Sequence, residues 1–427
     1  MSLLTLSISH AAEPWHFNPD SLLARHIQEA LANNPKLQSQ RSGADASETR
    51  ISQAGAWPDP MVSLGLMNLP VNSFTLNQEP MTGLWVNLNQ TIPLNGGNGI
   101  KSEIAEQQYL ISELAVQNSE LQIIRDLSIS WFTWSYLLES ARTLAETELL
   151  LDDLTQIALR RYETGQGNQA DVLRLQTDRA VLQDQRMLIE QQASAAGRKA
   201  ATLMGRSPDD SPAPPALLSS SFDPLDEAAT QQAITEQNPG YQAVKTSAEV
   251  SALNLKLQKR EWWPDLKLGV GYGFRQDAAN GMERPDFFSV SAGFSLPLFG
   301  SAKQGKAVQE ARLMQQKAAS DIREIELQLR LQLEVFTDED QRLSRQIELF
   351  DAGILPQAEA AFNATLAAYS VGSSTIDALI STEKTVLKSQ LDRYARVRDR
   401  WKVRTDIAVL TGTGIPHYNL NLTTDEL

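Results

Sequence analysis

The sequence contains no cysteine, and this absence removes several kinds of chemistry at once. Disulfide bonds, thiolate metal sites and cysteine nucleophiles are excluded, because each of them needs a thiol. The sequence also lacks any run of about 18 consecutive apolar residues, which a membrane-spanning helix would require. Any segment that enters a bilayer must therefore do so as β-strands.

Positive charge is also scarce, with 38 Lys and Arg against 52 Asp and Glu and a net charge of −14. Nucleic acid is excluded as a partner, because phosphate binding depends on clustered basic residues. The sequence shows no nucleophile elbow and no phosphate-binding loop. The four histidines, His10, His16, His26 and His417, are scattered without ligand spacing. We therefore predict that the protein is not an enzyme and holds no cofactor or metal.

The clearest feature that is present is an internal duplication with a period of about 205 residues. Five landmarks recur in the same order, which is unlikely by chance. They are Asn34-Pro35 with Asn238-Pro239, Trp57-Pro58-Asp59 with Trp263-Pro264-Asp265, Ile92-Pro93-Leu94 with Leu296-Pro297-Leu298, Tyr162-Glu163-Thr164-Gly165 with Tyr369-Ser370-Val371-Gly372, and Leu203-Met204-Gly205 with Leu410-Thr411-Gly412.

This duplication predicts the domain organisation of the chain. Residues 17–206 form the first structural repeat and residues 225–413 the second. Residues 207–224, rich in proline and serine, form a linker in the equatorial region. Residues 1–12 are interpreted as a signal-peptide remnant, because small residues follow a short apolar run. Residues 414–427 form a C-terminal tail.

Long helices dominate each repeat. No proline occurs from Gly96 to Arg206, and apolar residues recur at spacings of three and four, as in left-handed coiled coils. A helix from about Gly99 to Thr164 would span roughly 100 Å at 1.5 Å per residue, far more than a compact globule needs. We predict two helical hairpins with tips near 165 and 372, and a kink or break at Pro356.

Four segments, at about 61–69, 83–93, 265–275 and 286–297, alternate apolar residues with polar residues or glycine. This period of two is typical of strands with one apolar face, either on a soluble sheet or in a membrane barrel. Four strands cannot close a barrel, and a bilayer tolerates no open sheet edge. The predicted fold class is therefore mainly α with a membrane β-barrel, in which three copies of the chain, each with long coiled-coil helices, share 12 strands.

The chain resembles the TolC-like outer-membrane efflux family over nearly its whole length. The likeness is carried by the duplicated Tyr-x-x-Gly…Asp-x-Leu pattern at 162–173 and 369–379, the segment 354–359 and the paired Trp-Pro-Asp motifs. The resemblance implies a homotrimer in the outer membrane of a Gram-negative bacterium, with a large periplasmic part in which the long coiled-coil helices form a periplasmic α-barrel. It also implies docking to a periplasmic adaptor, or membrane fusion protein, and to an inner-membrane pump, with the RND type as one candidate.

The segment from Ala56 to Asn95 is similar to the heavy-metal branch of this family, related to CzcC and CusC. Met61, Met67 and Met81 in and near the first hairpin carry thioethers that could bind Cu(I). Methionine more often fills gaps in packing, and we expect that role here. The sequence leaves metal cations and drugs as two candidate cargo classes.

The family resemblance implies that the hairpin tips contact the adaptor. The predicted contact residues are Arg161, Tyr162, Gly165, Tyr369, Val371 and Gly372. An alternative is that each glycine ends a helix in the left-handed conformation and each tyrosine packs its hairpin.

Three acids are predicted to form the pore entrance or gate: Asp171, Asp377 and Glu383. Asp377 matches one constricting aspartate of the family, whereas the second corresponds to Ile380, so we expect Glu383 to substitute for it. A ring of carboxylates would favour cations in a narrow pore. The alternative is that Asp171 and Asp377 only stabilise the first turns of their helices.

A different class of function fits the same pattern of elements. A soluble periplasmic coiled-coil adaptor of an export system also combines long helices with a β part. It would bury both faces of its sheet, whereas the strands here show only one apolar face. We therefore expect an outer-membrane exit duct, and a soluble adaptor is the alternative.

Overall fold

The structure is a computed structural model, and it describes residues 22–216 and 218–412. The signal-peptide remnant predicted at 1–12 and the tail predicted at 414–427 lie outside the described residues. The helices are α1 (Leu22–Asn33), α2 (Pro35–Gly55), α3 (Gly97–Glu163), α4 (Gln169–Leu203), α5 (Glu227–Glu236), α6 (Pro239–Arg260), α7 (Gln304–Leu349), α8 (Leu355–Ser370) and α9 (Ile376–Leu410). The strands are β1 (Met61–Met67), β2 (Gly83–Ile92), β3 (Leu266–Phe274) and β4 (Phe287–Phe294).

The element order repeats, with two helices, two strands, a long helix and a returning helix in each half. In the first half the long helix α3 is continuous over 67 residues. In the second half a π-helical turn, Phe350–Ile354, separates α7 from α8. Leu355 N donates to Phe350 O in the wider bonding pattern of a π-helix. Pro356 follows in the first turn of α8, where a missing N–H costs little, so the chain remains helical through the predicted kink or break.

The repeated Asn-Pro and Leu-x-Gly motifs contact each other within each half. Asn34 Nδ2 donates to Leu203 O at 2.7 Å, and Asn238 Nδ2 donates to Leu410 O at 2.8 Å. The Oδ1 atom of each asparagine also accepts from a backbone N–H in the following helix. One amide side chain thus starts α2 or α6 and holds the end of α4 or α9, which explains why these distant motifs recur together.

The chain forms two compact units, and the sheet lies in the one made of residues Arg41–Leu114 and Ala243–Glu324. Its four strands are all antiparallel in the order β1-β2-β3-β4. The pairing of β2 with β3 joins the two repeats in one sheet. None of the helices in residues 22–216 and 218–412 is long and apolar enough to cross a membrane.

The strand register places the apolar residues on one face. Leu64 pairs with Val86, Val86 with Tyr272 and Tyr272 with Phe288, so a single row across the sheet is apolar or aromatic. Many of these side chains are exposed, and Val290 is 71% accessible. The opposite face carries serine, asparagine, threonine and glycine at most positions, with Lys267 near one end.

Glycine on the polar face of β3 leaves room for neighbouring side chains to lean across that strand. A Cβ atom at Gly269 would lie 2.5 Å from Ser291 Oγ and 2.6 Å from Asn89 Oδ1. Side-chain oxygens from β2 and β4 therefore come close together above β3. This face is lined by uncharged polar groups over several rows.

The second unit, residues 22–40, 115–242 and 325–412 of the described chain, consists of helices around three apolar clusters. The linker predicted at 207–224 is fastened to it by buried donors. Trp401 Nε1 donates to Ser219 O at 2.8 Å, and Ser135 Oγ donates to Ala216 O at 2.6 Å. The linker's prolines disfavour regular structure, and the helices satisfy the carbonyl groups of Ala216 and Ser219.

Candidate functional site

The first hairpin tip is the turn between α3 and α4. Gly165 has a φ of +72°, the left-handed conformation that glycine adopts at low cost after a helix. Gln166 N donates to Arg161 O at 2.8 Å, which closes the end of α3. Asn168 accepts from Ala170 N and starts α4. Tyr162 projects from this turn with 44% of its surface exposed.

The second tip, between α8 and α9, has the same backbone design. Gly372 has a φ of +78°, Ser373 N donates to Ala368 O at 2.9 Å, and Thr375 caps α9. The side chains differ from those of the first tip. Tyr369 is only 5% exposed and Val371 is 79% exposed. The aromatic ring thus packs within the hairpins at this tip, while the apolar valine faces outwards.

Arg161 connects the two tips. Its guanidinium lies over the Tyr369 ring, 5.0 Å from the ring centroid, and donates to the Tyr369 carbonyl. Burial raises the pKa of the Tyr369 hydroxyl, and the carboxylate of Asp171 raises it further, whereas Arg161 opposes the shift. Tyr369 therefore stays neutral at physiological pH and serves as a packed aromatic platform for the arginine.

Asp171 and Asp377 each lie in the first turn of a returning helix, where the helix dipole favours a negative charge. Asp377 is the more accessible of the two, with 76% of its side chain exposed and Arg174 Nε at 4.0 Å. It lines an open groove of about 950 Å³ together with Arg174, Lys384 and residues of α9. Both acids stand beside the tips, as their position in the sequence requires.

Glu383 occupies a different environment from these two acids. It is 4% exposed, and its Oε2 atom has no hydrogen-bond partner among the described residues. Burial raises the pKa of Glu383 to about 7, Lys384 opposes the shift and Asp178 adds to it. Its carboxyl group lies inside the protomer and does not stand on an accessible surface beside Asp377.

Sequence reasoning missed the charged groups around Glu383. Asp178 of α4 is buried and accepts from Lys384 Nζ of α9 at 2.6 Å, with Arg174 Nε at 3.3 Å. The repeat offset that relates Asp171 to Asp377 also relates Asp178 to Lys384. Residues at matching positions of the two halves thus meet in an ion pair, and that offset is the signal that could have found them.

Metal ligands do not converge in the part of the chain that the structure describes. No group of three or more His, Asp or Glu residues there could hold a metal ion. His26 lies in the core with its ring 5.2 Å from that of Trp131. Met61 and Met67 lie at opposite ends of β1 and, with Met81, are roughly half exposed. The packing role expected for these methionines is therefore not seen within one protomer, because the sheet faces are uncovered.

Residues 26–205 match the sequence model of the family described as outer membrane efflux protein. Over its described residues the chain also has the fold of a solved outer-membrane channel, OprN, with a TM-score of 0.79 at 14% identity, covering 92% of this chain and 90% of that one. By sequence, residues 26–205 thus match a family of outer-membrane channels and not of enzymes, and the described chain as a whole has the fold of the TolC-like channels. Members of the matched family are described as outer membrane proteins. The predicted fold class is confirmed for one protomer, with long helices and four antiparallel strands as in these channels.

Two relatives show which members of the family the sequence is similar to. The nickel and cobalt resistance protein CnrC of Cupriavidus metallidurans is 24% identical over 71% of this chain and 68% of its own length. The pyoverdine export outer membrane protein OpmQ of Pseudomonas putida is 20% identical over 86% of this chain and 76% of its own length. Similarity thus extends to a metal-resistance protein, as the likeness to the heavy-metal branch predicts, and to an exporter of a different cargo.

Proposed function

We propose that the chain is one subunit of a homotrimeric exit duct in a tripartite export system, served by a periplasmic adaptor and an inner-membrane pump. The observation that carries this proposal is the sheet, which has one exposed apolar face and whose edge strands β1 and β4 pair with no further strand of the described residues. Unpaired backbone groups in hydrocarbon cost several kcal/mol each, so both edges need partners. Three sheets of four strands give twelve, an even number within the range of outer-membrane barrels.

The chemistry of the two sheet faces indicates which face meets lipid and which faces the lumen of the barrel. The face with Leu64 and Val290 meets lipid, and the face with Asn87 and Ser289 lines the water-filled duct. This assignment follows the alternation of membrane barrels, whose outer band is apolar and whose lumen is polar. A passive duct of this kind needs no catalytic group, and its cargo, metal cations or drugs, is set by the pump.

Adjacent positions of β4 provide a matched test of the barrel. Val290→Arg places a charge on the lipid face, where it costs about 2–4 kcal/mol at the bilayer centre, and should prevent membrane insertion and trimer formation. Ser289→Arg places the same charge in the lumen and should leave both intact. Membrane fractionation and the mass of the detergent-solubilised particle are the measurements.

A detergent-free monomer with folded strands would contradict the barrel, as would equal insertion of the two variants. That result would favour the soluble adaptor, whose sheet needs no lipid. The exposed apolar face is the observation that speaks against the adaptor, because a soluble sheet of this size would cover it.

The tips are proposed to contact the adaptor. The six predicted residues divide into an exposed group, Tyr162, Gly165, Val371 and Gly372, and a supporting pair, Arg161 and Tyr369. The exposed group combines an aromatic and an aliphatic side chain with two solvent-facing turns, and so offers a small apolar surface to a partner. The supporting pair fixes the spacing of the tips beneath it.

Val371→Asp tests this contact without straining a turn. A charge in a desolvated contact costs about 2 kcal/mol or more, so export should fall about 30-fold or more while trimers and conductance stay normal. Leu188→Asp, at an exposed position of α4 away from the tips, is the matched control and should leave export unchanged. Normal export by Val371→Asp, measured as resistance of the host to nickel, cobalt and a drug panel, would contradict the contact.

The first-turn acids are proposed to line the duct entrance, with Asp377 and Asp171 repeated in three protomers. Like charges brought together in a narrow pore attract cations and repel one another. Asp377→Asn should therefore reduce cation selectivity and cation block in planar bilayers, and Asp184→Asn on the exposed side of α4 should not. Unchanged selectivity and block in Asp377→Asn would remove the acidic ring from the proposal.

A further inference from the structure

Glu383 is the buried ionisable group that the passive-duct proposal leaves without a role. It is among the apolar residues that join α4 and α9 near the tips, including Leu175, Leu379 and Leu387. A carboxylate in such a place is unfavourable unless it is paired and hydrogen-bonded, whereas a neutral carboxyl group costs much less.

The neighbouring charges do not supply the missing partner. Lys384 follows Glu383 in sequence, but its ammonium group binds Asp178 of α4 at 2.6 Å. Arg174 of α4 also faces Asp178, at 3.3 Å, and lies 4.0 Å from Asp377. The cations of this contact are thus engaged by other acids.

The remaining elements of this cluster bring no cation to Glu383 either. In the adjoining pair of α3 and α4, Asp152 binds Arg179 at 3.1 Å and Glu148 binds Arg186 at 2.7 Å. The sequence of α8 has one charged residue, the exposed Glu359. Among the described residues, the charged groups that act directly on Glu383 are Lys384 and Asp178.

We propose that Glu383 is a proton-controlled switch in the contact between α4 and α9. When its carboxyl group is protonated, the two helices keep the packing seen here. When the proton leaves to solvent, the buried carboxylate draws water in and loosens the contact beside the tips. The loosening is a property of the pair α4 and α9 and does not depend on the proposed function. Any effect of the loosening on flow through the duct does rest on the proposed entrance gate.

The direction of the effect follows from linkage. In the packed state the pKa of Glu383 is about 7, against 4.5 for the hydrated group. The contribution of the neutral group to packing is complete below pH 4.5 and is lost as the pH rises to about 7. Between pH 6 and pH 8.5 these two values predict an increase of about tenfold in the ratio of loosened to packed protein.

The absence of cysteine makes this ratio measurable with a single introduced thiol. Ile380→Cys places the thiol at a buried position one turn before Glu383, and Ser381→Cys places it at the neighbouring exposed position. Both variants are labelled as the purified, detergent-solubilised full chain. The labelling rate of Ile380→Cys is divided by that of Ser381→Cys, because the division cancels the pH dependence of thiol ionisation. We expect this ratio to rise about tenfold between pH 6 and pH 8.5.

Two carboxylate variants decide whether Glu383 is responsible. Glu383→Gln should keep the ratio low and flat, because an amide cannot ionise, and the matched exposed variant Glu190→Gln should retain the full rise. If Ile380→Cys does not fold, amide hydrogen exchange over residues 376–387, corrected for the intrinsic pH dependence, replaces it with the same expectation. A rise that persists in Glu383→Gln, or no rise in the unsubstituted background, overturns the proposal. Neither result depends on whether an adaptor docks at the tips.

Discussion

The turn after α3 and the turn after α8 begin with the same Tyr-x-x-Gly pattern, but their tyrosines have opposite environments. Tyr162 is exposed, whereas Tyr369 is buried under the guanidinium of Arg161. The backbone is the same at both sites, with a left-handed glycine three residues after each tyrosine. A repeated motif thus specifies the turn, and the role of its side chain depends on what the other repeat places against it.

The largest difference is expected when the two tyrosines are truncated. Tyr369→Ser removes a buried ring and should destabilise the tips by about 3 kcal/mol, or roughly 100-fold in local opening. Tyr162→Ser should change the same quantity by less than about 0.5 kcal/mol, because the ring is exposed. Amide hydrogen exchange at the starts of α4 and α9 measures both. Equal effects would mean that the tyrosines are equivalent after all.

An intermediate effect is expected when the link between the tips is cut. Arg161→Gln loses the charge over the ring and the charge-assisted bond to the Tyr369 carbonyl, about 1–2 kcal/mol together. Arg160→Gln is the matched control, since Arg160 bonds only weakly to the carbonyl of Gln156 in its own helix. Exchange protection at Tyr369 should fall in the first variant alone. A similar loss in both would place the effect in helix α3 rather than in the link.

The smallest difference concerns the two glycines. Gly165→Ala and Gly372→Ala should each cost about 1 kcal/mol, because both positions have positive φ. Gly372→Ala should cost slightly more, since its Cβ would lie 3.1 Å from an Arg161 nitrogen, whereas the space at Gly165 is open. Thermal unfolding of the solubilised protein ranks them. A larger cost at Gly165 would show that the open turn has a partner.

Much of this fold could be predicted because short-range sequence patterns determine its helices and strands. Alternation of Leu268, Val270 and Tyr272 with glycine indicates a strand, and the proline-free stretch before Tyr162 indicates a long helix. The duplication supported each assignment by providing it twice. The sequence did not predict that a π-helical turn would precede Pro356. A proline predicts an interruption of the helix, but it does not predict the hydrogen-bonding pattern of the turn around it.

The environments of the site residues depend on contacts that the sequence separates widely. Arg161 reaches Tyr369 across 208 positions, and Lys384 reaches Asp178 across 206. Nothing local to Glu383 distinguishes a buried acid from one on a pore surface, since both occupy a helical stripe. Its burial depends on the rotation of α4 against α9, which only the folded structure supplies.

The strand pair β2–β3 has an evolutionary consequence. It pairs the last strand of the first repeat with the first strand of the second repeat. In the proposed trimer β4 would meet the next protomer's β1, again a second repeat against a first. An ancestor of half this length, with two strands, would need six copies for an equal cylinder. Fusion of two genes would have halved that number and freed each half to diverge, as Tyr162 and Tyr369 have.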